Sequence, residues 1–221
     1  MPTDDLTRRA ARHAALGDPV RLAIAEELVG SDRSPAELRM RFGLESNLLS
    51  HHLDVLADAG LVERFRSSGD GRRRYVHLRD EAVGLVAGPV RRPVPVLFVC
   101  TANSARSQLA AAIWREQTGR SARSAGTHPA DAVAPGAVSA ARRASLDLGR
   151  AVPRSLSDVG RPPALVITVC DRAHEELPPD DERLHWSVSD PVPVGTAAAF
   201  DRTVAELRVR VSRLTDRAVA S

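Results

Sequence analysis

The sequence predicts two dissimilar halves. Residues 1–90 read as an α+β winged helix-turn-helix. A short linker at 91–95 leads into an α/β domain with a four-stranded parallel sheet over residues 96–221. Three observations predict this. Residues 88–95, GPVRRPVP, carry three prolines, a glycine and two arginines between periodic regions, so regular structure pauses there. Before that break, short helical patterns end in a basic, glycine-centred hairpin. After it, an apolar run passes through a small polar loop into a helical pattern, the opening of a doubly wound α/β unit.

In the first half, residues 6–16 have a helical pattern that Gly17-Asp18-Pro19 interrupts. Asp18 is a candidate N-cap with Pro19 at the first helical position, and Val20, Ile24 and Leu28 then recur on one face. Ser34-Pro35-Ala36-Glu37 has the spacing of a capping box, opening a short helix that stops near Gly43. A further helix is predicted over 46–59, with Leu49, Leu53 and Leu56 inward and Gly60 as its stop. LVERF and RRRYVHL flank Ser67-Ser68-Gly69-Asp70-Gly71, a hairpin signal. Ser46, Asn47, Ser50, His51 and His52 are expected at the start and on the outer face of the second helix of the pair, where small polar side chains reach base edges. Arg64, Arg66, Arg72, Arg73 and Arg74 on the hairpin suit phosphates or a minor groove.

In the second half, VPVLFV is expected as a buried parallel strand ending at Cys100, followed by a helix over 107–117. SARSAGT, ALVITVC and RLHWSV supply three more strands, and residues 135–148 another helix. Phe200, Val204, Leu207, Val211 and Leu214 give the last helix an apolar face that core packing explains. Between first strand and helix lies Cys100-Thr101-Ala102-Asn103-Ser104-Ala105-Arg106-Ser107. Loop amides converging at a helix N-terminus bind a tetrahedral oxyanion, and a guanidinium grips two of its oxygens in a fork. The same positive field favours a thiolate, so Cys100 is the candidate nucleophile and Arg106 the candidate clamp. Ser107 is placed to donate to the thiolate and Asn103 to brace the loop. A proton donor is still required, and Asp190, held extended by the proline after it, is the candidate acid.

Two resemblances follow from these residues. LGDPVRLAIAEEL, SPAELRMRFGL, LLSHHLDVLADAGLVERFR and GDGRRRYVHL together resemble the ArsR family of winged-helix repressors. That resemblance implies a homodimer, formed through this domain, on a two-fold operator DNA and released by an effector. VLFVCTANSARSQLA, SAGT, VITVCDRA and LHWSVSDP, in this order, resemble the low-molecular-weight tyrosine phosphatase fold in its arsenate-reductase branch. Gln108 and the His185-Trp186 pair favour the reductase branch, and Val192 stands where phosphatases commonly have tyrosine. The resemblance implies Cys100 as nucleophile, Arg106 as oxyanion binder and Asp190 as proton donor for arsenate, or for phosphate of the same shape.

The chain has only two cysteines, and none precedes Cys100. Thiolate sensing of arsenite inside the first half is therefore disfavoured, and its histidines form no recognisable ligand pair, so no metal site is expected. In the thioredoxin-coupled reductases two further cysteines finish the reaction; here Cys170 matches the first, and Leu177 stands at the second. The expected reductant is thus an external thiol: mycothiol, glutathione or a thioredoxin system, with a thioredoxin- or glutaredoxin-type partner and no bound cofactor. A small thiol is preferred, with Cys170 as the alternative resolving group. All 31 basic residues are arginine, and a lysine-free chain rich in Ala and Val is typical of a GC-rich genome, which points to mycothiol. The expected function is an arsenate reductase fused to an ArsR-type repressor; the alternatives are a non-catalytic oxyanion-sensing transcription factor and a tyrosine phosphatase. The charged N-terminus and the lack of a long apolar run predict a cytoplasmic protein with no membrane partner.

Overall fold

A computed structural model describes residues 3–86 and 94–215. Residues 91–93 of the expected linker lie outside them. The chain divides into two compact units, each with its own apolar core.

The first unit is built from α1 (Asp4–Leu16), α2 (Pro19–Gly30), α3 (Pro35–Phe42), α4 (Ser46–Asp58) and the antiparallel pair β1 (Val62–Arg66) and β2 (Arg74–Leu78), with a 3-10 turn over Asp80–Leu85. Its boundaries have local causes. The Asp18 carboxylate accepts from the Arg21 N–H at 2.9 Å, starting α2 behind Pro19. In α3 the Ser34 hydroxyl accepts from the Glu37 N–H while the Glu37 carboxylate accepts from the Ser34 N–H, a complete capping box. Gly43, at φ +62°, ends α3 in the left-handed region and turns the chain into α4. Ile24, Leu28, Leu38, Leu53, Leu56 and Val76 are fully buried together, each worth about 2 kcal/mol of burial. Helix, three-residue turn, helix and hairpin follow in the order the sequence predicts.

The second unit holds β3 (Val96–Cys100), α5 (Arg106–Thr118), β4 (Ala122–Gly126), α6 (Pro135–Arg143), β5 (Leu165–Thr168), α7 (Asp171–Glu176), β6 (Leu184–His185), α8 (Pro191–Val194) and α9 (Ala197–Thr215). The sheet is parallel throughout, in the order β4-β3-β5-β6. β3 is central and buried at all five positions, as its unbroken apolar run requires. Phe98 packs between Trp114 of α5 and Trp186, with ring centroids 6.0 and 5.7 Å away. α9 packs along α5 and α6 with Phe200, Val204, Leu207, Val211 and Leu214 all buried.

Three expected elements are shorter than their patterns. The helix expected over 135–148 ends at Arg143, because the Ser145 N–H reaches the Arg142 carbonyl and the Leu146 N–H the Ala141 carbonyl. That Schellman arrangement puts Ser145 at φ +57° and buries Leu146, so the apolar periodicity ran on past the helix. RLHWSV contributes only Leu184–His185 to the sheet, and ALVITVC only Leu165–Thr168.

Candidate active site

The C-terminal end of β3 delivers Cys100 to a loop that enters α5 at Arg106. The loop's shape follows from where its carbonyls go. Those of Cys100, Thr101, Ala102 and Ser104 accept from the N–H groups of Thr127, His128, Ala130 and Ala134 at 2.9–3.1 Å. Pinning the carbonyls to this outer segment turns amides the other way. The N–H groups of Ala102, Ser104 and Ala105 donate to no acceptor among the described residues. Arg106 and Ser107 open α5, where backbone N–H groups have no intrahelical partner. Together these form a concave array of donors suited to an oxyanion. The loop also needs Gly126: a Cβ there would lie 2.5 Å from the Thr101 carbonyl oxygen and 3.1 Å from the Asn103 amide nitrogen.

Cys100 is buried, and its Sγ accepts from the Asn103 N–H at 3.2 Å and lies 3.0 Å from Ser107 Oγ. Asn103 is the structural centre of the loop. Its φ of +49° suits asparagine better than most side-chain-bearing residues. Its Nδ2 donates to Ser107 Oγ at 2.8 Å, and its Oδ1 accepts from the Arg154 N–H and from Gln108 Nε2 at 2.9 and 3.2 Å. Gln108 Nε2 also donates to the Asn103 carbonyl at 3.1 Å. Asn103 so holds Ser107 toward the sulfur.

The Arg106 side chain is buried and aimed from two sides: Nη1 donates to the Val188 carbonyl at 3.0 Å and Nη2 to Asp190 Oδ2 at 2.7 Å. Asp190 caps α8, its Oδ1 accepting from the Val192 N–H at 3.1 Å. The candidate acid thus touches the candidate clamp, and both face the loop that carries the thiol.

Thr101, expected in the cradle, is directed at the second cysteine. Its N–H donates to Cys170 Sγ at 3.2 Å and its Oγ1 lies 3.4 Å from it, with the Ala173 N–H at 3.4 Å completing the set. Burial pushes the Cys170 thiol up, and neighbouring Cys100 adds to the effect. Beyond Cys170 lies a buried polar chain with no counterpart in the sequence reading. Asp171 Oδ1 meets His185 Nε2 at 3.1 Å; Thr168 Oγ1 lies 3.0 Å from His185 Nδ1 and 3.2 Å from His174 Nδ1, and the two imidazoles stack 4.1 Å apart. Burial alone would raise the Asp171 carboxyl, but hydrogen bonds from His185 and Ser187 outweigh it and hold it at about 2. Only a tertiary fold brings His185 to the other three; Cys170-Asp171 and His185-Trp186 are separated by thirteen residues of unrelated pattern.

In the first unit, Ser46, Asn47, Ser50 and His51 are exposed on α4. His52, expected beside them on the outer face, turns inward: it is buried, with Nδ1 3.9 Å from Asp18 Oδ1, because its position shares a face with Leu49, Leu53 and Leu56. Ser46 Oγ accepts from Arg39, and Arg64 is ion-paired with Asp54 of α4 at 2.8 Å. Arg66 and Arg74 are exposed cross-strand partners, with Arg72 and Arg73 exposed in the connection. Among the described residues no group of three or more His, Cys, Asp or Glu is arranged to hold a metal ion, and no helix is long and apolar enough to cross a membrane.

The low molecular weight phosphotyrosine protein phosphatase family matches residues 95–220. The chain belongs to that family. A helix-turn-helix domain family matches residues 16–64, so this family member is a fusion. It is 33% identical over 132 residues to an arsenate reductase of Bacillus licheniformis, spanning 55% of this chain and 94% of the relative. An arsenate reductase of Bacillus cereus is 30% identical over 127 residues, spanning 55% of this chain and 93% of that one. A solved arsenate reductase in the phosphate binding state superposes with a TM-score of 0.50 at 22% identity, covering 56% of this chain and 97% of the other, which shows the shared fold.

Proposed function

We propose that the second unit reduces arsenate to arsenite and that the first binds operator DNA as an ArsR-type repressor dimer. One observation carries the enzymatic reading: the Cys100 sulfur receives Asn103 N–H and Ser107 Oγ inside a loop of inward amides, with Arg106 and Asp190 hydrogen-bonded to each other at its rim. The arsenate-reductase relatives support the choice of substrate.

In the proposed reaction arsenate enters the amide cradle, two of its oxygens on Arg106. The Cys100 thiolate attacks arsenic(V) and forms an S–As bond. One As–O bond breaks, Asp190 gives its proton to the departing oxygen, and water leaves. A second thiolate then attacks Cys100 Sγ, forming S–S as the S–As electron pair moves onto arsenic. Arsenic(V) becomes arsenic(III) and two thiols become one disulfide.

Cys170 is the alternative attacking thiol: Thr101 and Ala173 donate to its sulfur, while burial and neighbouring Cys100 push its thiol up and work against its thiolate. The preferred second thiol is therefore an external small thiol such as mycothiol or glutathione, with a thioredoxin- or glutaredoxin-type partner recycling the mixed disulfide. Arsenite formation by Cys170→Ser against a panel of thiol donors tests the choice. Loss of turnover with every donor supports Cys170; normal turnover with excess small thiol assigns the attack to the external thiol. Cys100→Ser abolishes reduction in either case, and a Cys100→Ser chain that still reduces arsenate removes the enzymatic reading altogether.

A further inference from the structure

On the second unit, behind the wall that supports the Cys100 loop, lies a cleft of about 460 Å³. Four arginines line it, Arg115, Arg123, Arg150 and Arg154, against one carboxylate, Asp158. Elsewhere in this unit arginines are commonly neutralised: Arg143 by Asp201, Arg172 by Glu176, Arg208 by Glu116, Arg210 by Glu206. Among the described residues none of the four cleft arginines is ion-paired. Two of them are nonetheless fixed in place by neutral acceptors. Arg115 donates to the carbonyls of Ala122 and Asp147, and Arg123 to those of Val159 and Arg161, at 2.9–3.3 Å. Guanidinium groups oriented by carbonyls keep their full charge and have already lost side-chain freedom, which lowers the cost of binding an anion.

We propose that this cleft binds a phosphate-bearing anion at a site separate from the Cys100 cradle. Four guanidinium groups against one carboxylate favour a ligand with at least two negative charges, and the forks of Arg150 and Arg154, which donate to no acceptor among the described residues, each match a pair of phosphate oxygens. The volume accommodates an inorganic polyphosphate or the phosphate end of a nucleotide. Occupancy bears on the neighbouring loop, because the cleft wall includes Gln108 and Arg154, whose side-chain amide and backbone N–H both hold Asn103. The site does not depend on the reduction proposed above.

Calorimetric titration of the full chain with pyrophosphate and with ADP, at low ionic strength, tests it. Both wild type and Arg106→Ala, which disables the cradle clamp, are expected to bind pyrophosphate with similar affinity. Arg150→Ala/Arg154→Ala is expected to bind at least about tenfold more weakly, the loss of one good charge-assisted contact. Single Arg150→Ala, whose side chain makes no described hydrogen bond, gives an intermediate loss and guards against misfolding of the double variant. Tighter binding of ADP than of pyrophosphate assigns the phosphate to a nucleotide; the reverse assigns it to a free polyphosphate. Absence of binding by wild type, equal affinity in the double variant, or loss of binding in Arg106→Ala alone overturns the proposal.

Discussion

Replacing Asn103 by alanine removes the side chain on which the Cys100 loop is organised. Three losses add up. Alanine at φ +49° gives up the tolerance of asparagine for the left-handed region, about 1 kcal/mol. The Arg154 N–H and the Ser107 hydroxyl each lose a partner that the fully buried Asn103 provided, about 1–3 kcal/mol apiece when no water replaces it. The total is about 4 kcal/mol, a large share of the stability of a small domain. Both tryptophans of the chain, Trp114 and Trp186, are buried in the second unit, so tryptophan fluorescence follows that unit within the full chain. With a urea slope of about 2 kcal/mol per molar, its midpoint should fall by about 2 M. Asn103→Gly restores the backbone freedom and should recover only about 1 kcal/mol of this. Freed from Asn103 Nδ2, Ser107 no longer holds the Cys100 sulfur, so arsenate turnover should fall in both variants. An unchanged urea midpoint and unchanged turnover in Asn103→Ala would refute the reasoning.

Asp190→Asn keeps an oxygen for Arg106 but has no acidic proton to give. Steady-state arsenite formation should drop by about 10²- to 10⁴-fold, and a wild-type rate would exclude Asp190 as the acid. Gly126→Ala drives a Cβ against backbone atoms of Thr101 and Asn103; turnover should fall sharply while the unit loses about 1–3 kcal/mol in the same fluorescence assay. Asp171, held at about 2 against an ordinary 3.8, contributes stability that is fully present above pH 3.8 and is lost as pH falls toward 2. Asp171→Asn should therefore remove on the order of 2 kcal/mol at neutral pH and flatten the acid limb of the urea midpoint across that window. For the DNA-binding half, Arg66→Ala/Arg74→Ala should reduce the slope of log affinity against log salt by about 2, as measured by anisotropy of labelled duplex. Cys100→Ser should leave that slope unchanged.

The site was readable to the extent that its residues are adjacent in sequence. Cys100, Asn103, Arg106 and Ser107 sit within one strand-loop-helix turn, so backbone geometry alone brings them together. Asp190 was named as the candidate acid from its proline and the resemblance, and its contact with Arg106 came only with the structure. His52 was misplaced because a polar residue was assigned to the polar face, whereas helical position puts it with Leu49, Leu53 and Leu56. Likewise the helix expected to reach 148 failed at Ser145, because apolar periodicity records which residues are buried and not which backbone carries them.

By itself the sequence determined the two-unit plan, the helix-turn-helix, the parallel α/β class and the spacing of the candidate nucleophile and clamp, since these rest on local caps, periodicity and short-range motifs. The tertiary structure decided what crosses between elements. It turned Thr101 from the cradle to Cys170, joined Asp171 to His185, and gathered arginines with no ion pair among the described residues from α5, β4 and the following loops around one cleft. The physical reason is the range of the forces involved: capping and periodicity act within a few residues, whereas buried hydrogen bonds and uncompensated charge exist only after the sheet has brought distant segments together.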